Sequence, residues 1–186
     1  MTRKVGIILG SNRPTRIGGD IAEWVKASMK HDGLELDIID LAKINLPFLD
    51  EPEIPAMGNY QQEHTKKWSK LIRQYDGIVL LFPQYNWGYP AVIKNALDYL
   101  YEEWQHKPVS IMVYGGHGGF QGLIAMKLVT QGLKMYNMAV NPGLAISKEM
   151  FDENHEFIDI DKSFAPIKPE VKMVSDEFIN LFSTFK

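Results

Sequence analysis

The sequence predicts an α/β fold with three layers, α/β/α, in which helices cover both faces of a five-stranded parallel sheet. Five short apolar runs alternate with helical patterns along the 186 residues, and this alternation is typical of parallel strands joined by crossover helices. Three of the runs are apolar almost throughout, as expected for strands that are buried on both faces. The chain has the length of one ordinary domain, so we expect a single domain over residues 1–186.

The five strand candidates differ in how strongly the sequence supports them. In chain order they are Lys4–Gly10, Leu34–Asp40, Gly77–Phe82, Pro108–Tyr114 and Ala139–Ile146. The second alternates apolar and polar residues, which is typical of an edge strand. The last is the weakest, because Asn141, Pro142 and Gly143 interrupt its apolar run.

Helical periodicity fills the intervals between these runs. The predicted helices are Ile17–Lys30, Asn59–Gln74, Pro90–Glu103, Gly119–Tyr136 and a last one near Pro169–Phe185. Two stretches do not fit this alternation. Ile44–Gly58 contains three prolines and is predicted to be a loop, and Lys148–Pro169 is acidic and irregular.

Composition argues against several classes of function. The net charge is −3 and no basic stripe stands out, which argues against nucleic acid as the main partner. There is no cysteine, which excludes disulfides, thiol nucleophiles and thiolate metal sites. The apolar run at the amino terminus is shorter than the roughly 7–15 residues of a signal peptide, and no run reaches the ~18–20 residues of a membrane span. We therefore expect a soluble, cytoplasmic protein that does not bind a membrane.

No metal site is expected. The five histidines have no paired spacing on one helix face. Asp152, Asn154 and Glu156 are spaced as in a calcium loop, but Phe157 stands in place of the obligatory glycine. We interpret this stretch as a solvated acidic loop.

The loop after the third strand is the most informative part of the chain. An apolar run ends at Pro83, and a loop rich in aromatic and amide side chains leads into the next helix. Tyr85 and Trp87 offer flat apolar faces, while Gln84 and Asn86 offer hydrogen-bond donors and acceptors. In open α/β sheets, ligands bind at the carboxyl ends of the strands. The loop therefore suits a planar heterocycle with polar edges.

The loops after the first and fourth strands complete a candidate site. The first runs from Gly10 to Gly19 directly into a helix and carries Ser11, Arg13 and Arg16. It could form a phosphate cradle or an ordinary helix start with exposed arginines, although it lacks the Walker and dinucleotide patterns. The fourth loop, 115–119, has four glycines, so a ligand can approach its backbone closely. Its His117 is either a solvent-facing residue or part of the site.

Together, the three loops describe a site for a phosphorylated planar ring. In the flavodoxin-like strand order 2-1-3-4-5, the mononucleotide FMN binds at the switch point beside the first and third strands. Three motifs also resemble the NAD(P)H-dependent FMN reductase family, and most closely its yeast-type quinone reductase subgroup. They are Gly10-Ser11-x-Arg13, the run Pro83-Gln84-Tyr85-Asn86-Trp87-Gly88-Tyr89-Pro90-x-x-x-Lys94-Asn95-Ala96-x-Asp98, and Tyr114-Gly115-Gly116-His117-Gly118-Gly119. The resemblance covers roughly residues 4–146.

The resemblance implies a flavodoxin-like fold, tightly bound FMN, NADPH or NADH as cosubstrate, and a homodimer that in some members assembles into a tetramer. It also implies three groups of cofactor-binding residues. The phosphate would be held by Ser11, Arg13 and the backbone of Arg16, Ile17 and Gly18. The ring would be lined by Pro83, Gln84, Tyr85, Asn86 and Trp87, with a backbone N–H of Asn86 or Trp87 directed at N5. The pyrimidine end would contact Gly115, Gly116, His117 and Gly118.

The implied activity is the transfer of two electrons from NAD(P)H through FMN to a small acceptor, such as a quinone, free flavin or azo compound, in a ping-pong sequence. The cofactor carries the chemistry, so no side chain is required as acid or base, and His117 and Asn86 are only candidates. Arg16 is a spare basic group that would favour NADPH over NADH. Gln84 stands where many members carry Glu, which changes the charge beside the ring. Two alternatives remain open, an FMN-binding electron carrier and a redox-sensing interaction protein.

Overall fold

A computed structural model describes residues 2–184 and has the three-layer α/β/α architecture expected from the sequence. The sheet order is β2-β1-β3-β4-β5, and all of its strand pairs are parallel. This is the predicted flavodoxin-like order. The strands are β1 (Arg3–Leu9), β2 (Leu34–Asp40), β3 (Gly77–Pro83), β4 (Pro108–Gly115), β5 (Tyr136–Asn137) and β6 (Gly143–Ala145).

The fifth strand position departs from the prediction. The prediction of a single strand over Ala139–Ile146 is wrong, because two short strands, β5 and β6, pair separately with β4. Pro142 has no N–H to continue the ladder, and the side chain of Asn141 takes over there. Its Oδ1 accepts a hydrogen bond from the Ile111 N–H at 2.8 Å.

All five predicted helices are present, as α1 (Gly18–Ser28), α3 (Glu63–Ile72), α4 (Ala91–Asp98), α5 (Phe120–Gly132) and α7 (Lys168–Thr184), and the first four are shorter than predicted. Two short helices that were not predicted, α2 (Leu41–Ile44) and α6 (Ile160–Ser163), lie between them. The helix predicted over Pro90–Glu103 stops at Asp98 and is followed by a 3₁₀ turn, Glu102–Trp104. Two further 3₁₀ turns, Pro55–Met57 and Lys148–Met150, lie in the stretches predicted to be irregular. Phe185, the expected end of the last helix, lies outside the described residues.

Two apolar cores hold the layers together, one on each face of the sheet. Adjacent residues of β1 point to opposite faces, so Ile7 packs with α1 and α7 while Ile8 packs with α3 and α4. The second core buries two tryptophans, and their indole N–H groups are satisfied. Trp68 donates to the Ala96 carbonyl at 2.9 Å and Trp104 to the Leu97 carbonyl at 3.0 Å. This packing fixes the central strands and hence the loops at their carboxyl ends.

In the part of the chain that the structure describes, no helix is long and apolar enough to cross a membrane.

Candidate functional site

A cavity of about 420 Å³ lies at the carboxyl ends of β1, β3 and β4, where the sequence places the site. Its volume falls within the range of pockets that hold small ligands, roughly 300–1,000 Å³. The loop after β1, the turns after β3 and β4, and a segment beyond β6 form its walls. The lining residues are Ser11, Arg13, Thr15, Arg16, Ile17, Pro83, Gln84, Tyr85, Tyr114, Gly115, Gly116, Ile146, Phe151 and His155.

The loop after β1 is held in place by Arg16. The Arg16 guanidinium donates to the Ser11 carbonyl oxygen and to the Asp40 carboxylate, both at 2.5 Å. Arg16 is therefore not the spare basic group expected from the sequence, because Asp40 balances its charge. The loop leads into α1, whose N-cap residue, Ile17, makes no side-chain cap hydrogen bond. The first N–H groups of α1 can thus face an anion.

Arg13 supplies charge that no acidic side chain balances among the described residues. Its side chain is exposed, and its one described contact is a long 3.5 Å hydrogen bond to the Thr15 hydroxyl. Within residues 2–184, no Asp or Glu lines the cavity. This part of the cavity is therefore electropositive and suits a phosphate group.

Tyr114 forms the floor between the first and fourth loops. It is 5% exposed, and burial raises the pKa of its phenol well above the ordinary value, although a hydrogen bond with Ser11 opposes the shift. The phenol is therefore a neutral donor at physiological pH. A Cβ on Gly18 would lie only 2.6 Å from the Tyr114 hydroxyl oxygen. The backbone of Gly18 thus packs closely against Tyr114, and Gly18 does not itself line the cavity.

The turn after β3 has a backbone conformation that residues other than glycine rarely adopt. Tyr85 and Gly88 exchange hydrogen bonds at 3.1 and 2.8 Å, and the two residues between them, Asn86 and Trp87, have φ values of 49° and 67°. Both central residues at positive φ define a type I′ turn, which usually needs Gly or Asn. The structure describes no acceptor for the N–H of Asn86 or Trp87, and the Trp87 side chain is 72% exposed. Neither residue lines the cavity.

Gln84 connects this turn to the start of α5. Its side-chain oxygen accepts a hydrogen bond from the Gly122 N–H at 2.8 Å, which satisfies one of the unpaired N–H groups in the first turn of α5. Because the oxygen is committed to Gly122, the amide nitrogen is left as a donor at the cavity wall.

Only the first part of the glycine turn after β4 lines the cavity. Gly115 and Gly116 line the cavity, and a Cβ on Gly116 would meet nothing within 4 Å. The next residues turn away into α5. His117 is exposed, and Gly118, which has a φ of 70°, packs near Gly143 instead. The structure thus places the candidate helper His117 outside the cavity lining.

Nine of the fourteen cofactor-binding residues expected from the sequence come together in the cavity. They are Ser11, Arg13, Arg16, Ile17, Pro83, Gln84, Tyr85, Gly115 and Gly116. Sequence reasoning missed Thr15, Tyr114, Ile146, Phe151 and His155. Tyr114 begins the glycine motif and could have been found, whereas Phe151 and His155 come from the acidic segment, where no motif pointed to them. Within residues 2–184, no group of three His, Asp or Glu side chains could hold a metal ion.

Comparison with known proteins gives a consistent family and fold. Residues 3–149 match the family described as NADPH-dependent FMN reductase. The chain is similar to an NAD(P)H-dependent FMN reductase of Schizosaccharomyces pombe, with 39% identity over 99% of this chain and 92% of the relative. It is also similar to an NAD(P)H-dependent FMN reductase of Saccharomyces cerevisiae, with 41% identity over 71% of this chain and 75% of the relative.

A solved structure supports the same architecture. The flavoenzyme NAD(P)H:(acceptor) oxidoreductase of Paracoccus denitrificans matches with a TM-score of 0.75, covering 96% of this chain and 98% of that one. The identity is 18%, so the match shows the shared fold alone.

Proposed function

The chain belongs to the NADPH-dependent FMN reductase family, and from this membership we propose that it passes two electrons from NADPH or NADH, through FMN held in the cavity, to a small acceptor. It is an enzyme of the NAD(P)H-dependent FMN reductase and quinone reductase type, with FMN as cofactor and NAD(P)H as cosubstrate. We propose that the acceptor is a quinone, free flavin or azo compound and that the kinetics are ping-pong.

The observation that carries this proposal is the meeting of three loops in one cavity. The loop after β1 contributes the hydroxyl of Ser11, the guanidinium of Arg13 and the uncapped start of α1 to the lining. The loops after β3 and β4 contribute the aromatic ring of Tyr85 and the open backbone of Gly116. Cationic and flat groups in one cavity are what a phosphorylated planar ring requires, so the residues present fit FMN.

The protein contributes binding and orientation. When bound, FMN supplies the hydride-accepting redox chemistry. The N–H groups of Asn86 and Trp87 have no acceptor in the described chain, and they are proposed to face the edge of the ring where it extends beyond the cavity lining towards this turn. The amide nitrogen of Gln84 is proposed to donate to the ring edge, because its oxygen is committed to Gly122. Preorganised donors of this kind stabilise charge without having to reorient.

One cavity for both half-reactions supports the ping-pong sequence. NAD(P)H and the acceptor would occupy the same open side of the cavity in turn, so the oxidised cosubstrate leaves before the acceptor enters. No side chain is required as acid or base, and His117 and Asn86 stay candidates for a supporting role. Initial-rate plots with varied NADPH and quinone should give parallel double-reciprocal lines, whereas intersecting lines would contradict this sequence.

A homodimer is also proposed, because α5 carries an exposed apolar stripe. Phe120, Ile124 and Leu128 are 63, 49 and 74% exposed and recur at every fourth residue on one helix face. Exposed Trp87 lies in the turn that packs on the start of this helix through Gln84. Monomeric proteins rarely expose such a continuous apolar patch. The tetramer, the single domain over residues 1–186 and the cytoplasmic location stay predictions.

The test is a visible spectrum of the purified protein followed by anaerobic addition of NADPH. An oxidised flavin spectrum that bleaches with NADPH and returns with a quinone would support the reductase. A bound flavin that stays oxidised with both NADPH and NADH would instead indicate a carrier or a redox sensor. Failure to bind FMN, even when FMN is added, would overturn the placement of the cofactor.

A further inference from the structure

The acidic segment beyond β6 forms a hairpin over residues 150–158, and it reaches the cofactor cavity. Ile158 N–H donates to the Met150 carbonyl and Asp152 N–H to the Glu156 carbonyl, both at 3.0 Å. The Asp152 carboxylate accepts from the N–H groups of Asn154 and Glu156 at 2.9 and 3.0 Å. This carboxylate thus closes the hairpin tip.

Aromatic rings anchor this 150–158 hairpin beside α1. The rings of Phe151 and Phe157 lie 4.6 Å apart, Phe157 lies 5.7 Å from Phe164, and Phe164 lies 5.0 Å from Trp24 of α1. Phe157 also borders a surface groove that it shares with Trp24 and with Asp20, in the first turn of α1. Through Phe164, these rings connect the hairpin to α1, the helix that follows the loop after β1.

His155 is the polar side chain that the hairpin brings to the cavity. It lines the cavity together with Phe151, whereas the hairpin carboxylates of Asp152, Glu153 and Glu156 do not. Its backbone has a φ of 63°, a conformation that is uncommon for residues other than glycine. The hairpin thus holds an imidazole, and none of its acidic side chains, at the wall beside α1.

We propose that His155 binds the FMN phosphate together with the loop after β1. The phosphate carries close to two negative charges, and hydrogen bonds from cationic side chains hold it more strongly than neutral donors do. Asp40 already balances the charge of Arg16, since the two side chains lie 2.5 Å apart. Among the lining residues, this leaves the Arg13 guanidinium and the His155 imidazole as the basic side chains available to the phosphate. The inference rests on the proposed placement of FMN in this cavity.

The test compares FMN with riboflavin, which has the same ring and no phosphate. The dissociation constants of both for the apoprotein are measured by quenching of flavin fluorescence, for the wild type, His155→Asn and His155→Arg. Asn tolerates positive φ and so keeps the hairpin backbone while removing the imidazole. We expect His155→Asn to weaken FMN binding by roughly 10- to 100-fold and to leave riboflavin binding unchanged. His155→Arg should restore most of the FMN affinity.

Asn154→Gln is the matched control at the hairpin tip, because its side chain does not line the cavity, and it should bind both flavins as the wild type does. Equal losses for FMN and riboflavin in His155→Asn would show a structural role and overturn the proposal. Unchanged FMN binding in His155→Asn would overturn the proposal too. This holds even if the apparent affinity of the variant for NADPH falls. A wild-type protein that binds neither flavin would instead overturn the cofactor placement itself.

Discussion

The Arg16 guanidinium and the Asp40 carboxylate lie 2.5 Å apart, and this pair joins the loop after β1 to the end of the edge strand β2. The two side chains are only 20 and 11% exposed. Arg16 also fixes the Ser11 carbonyl, so its charge organises the loop. Arg13, two residues beyond Ser11, has no such partner. The two arginines of this loop thus have different tasks.

Arg13→Ala should weaken FMN binding roughly tenfold or more, because a charge-assisted hydrogen bond to the phosphate is lost. Riboflavin binding and the free energy of unfolding should stay near the wild-type values, because Arg13 is exposed and holds nothing else in place. Asp40→Asn is the contrasting variant, which should lower the unfolding free energy by about 1–3 kcal/mol. Retention of FMN by Arg13→Ala at wild-type affinity would refute its role.

Gly18→Ala should disturb the floor of the cavity. The added Cβ would lie 2.6 Å from the Tyr114 hydroxyl oxygen and 2.8 Å from the Leu9 Cδ1 atom, and overpacking of this kind costs about 1–3 kcal/mol. FMN affinity should fall as Tyr114 shifts. Gly19→Ala is the matched control, because its Cβ would meet nothing within 4 Å. Alanine there should raise the helix stability by up to about 1 kcal/mol. Chemical denaturation measures the free energy of unfolding of Gly18→Ala and Gly19→Ala. Equal changes in the two variants would contradict the packing argument.

Leu128→Glu should convert the proposed homodimer to a monomer. The substitution places a charge at the most exposed residue of the α5 stripe, where burial of an unpaired carboxylate against a partner is costly. Light scattering should change from twice to once the 21.3 kDa chain mass. Lys127→Glu, on the neighbouring helix position, is the control and should stay dimeric. A wild-type mass of one chain would remove the dimer proposal, and four chain masses would indicate the tetramer.

Glu103→Gln should reveal an acid-sensitive contribution to stability. Burial alone would raise the pKa of the Glu103 carboxyl, but hydrogen bonds from Ser69 and Tyr60, together with the Arg73 charge, outweigh it and hold the pKa below its ordinary value of 4.5. A lowered pKa stabilises the fold above the pKa of the unfolded chain, and this stabilisation is lost as pH falls through the folded value. The wild type should therefore exceed Glu103→Gln in unfolding free energy at pH 7 by about 1–3 kcal/mol, and the difference should shrink below about pH 4.5. A difference that is constant down to pH 3 would contradict this.

The sequence was sufficient for the first four strands and for the loops at the sheet edge, because both depend on local signals, but it was not sufficient for the fifth strand position, where β5 and β6 pair separately with β4. Apolar runs defined β1, β3 and β4, and the residues that follow them were bound to meet at one edge. Long-range contacts were not predictable. The pairing of Arg16 with Asp40 joins residues 24 positions apart in the chain, and no local pattern marks Arg16 as paired. His155 reaches the cavity only because aromatic rings anchor its hairpin to α1, and no local pattern marks that contact.

Gln84→Glu tests whether the Gln84 side chain faces the ring. The variant keeps an oxygen for the Gly122 N–H, which now bonds to Gln84 at 2.8 Å, so the start of α5 should be preserved. It replaces the amide donor with a negative charge at the cavity wall, and a negative charge opposes the addition of electrons to a nearby ring. We expect the midpoint potential of bound FMN to fall by on the order of 30 mV, which is about 1.4 kcal/mol for a two-electron couple. Gln131→Glu, at the exposed far end of α5, is the control and should shift the potential much less. A potential that rises, or that falls equally in both variants, would show that the Gln84 side chain does not face the ring.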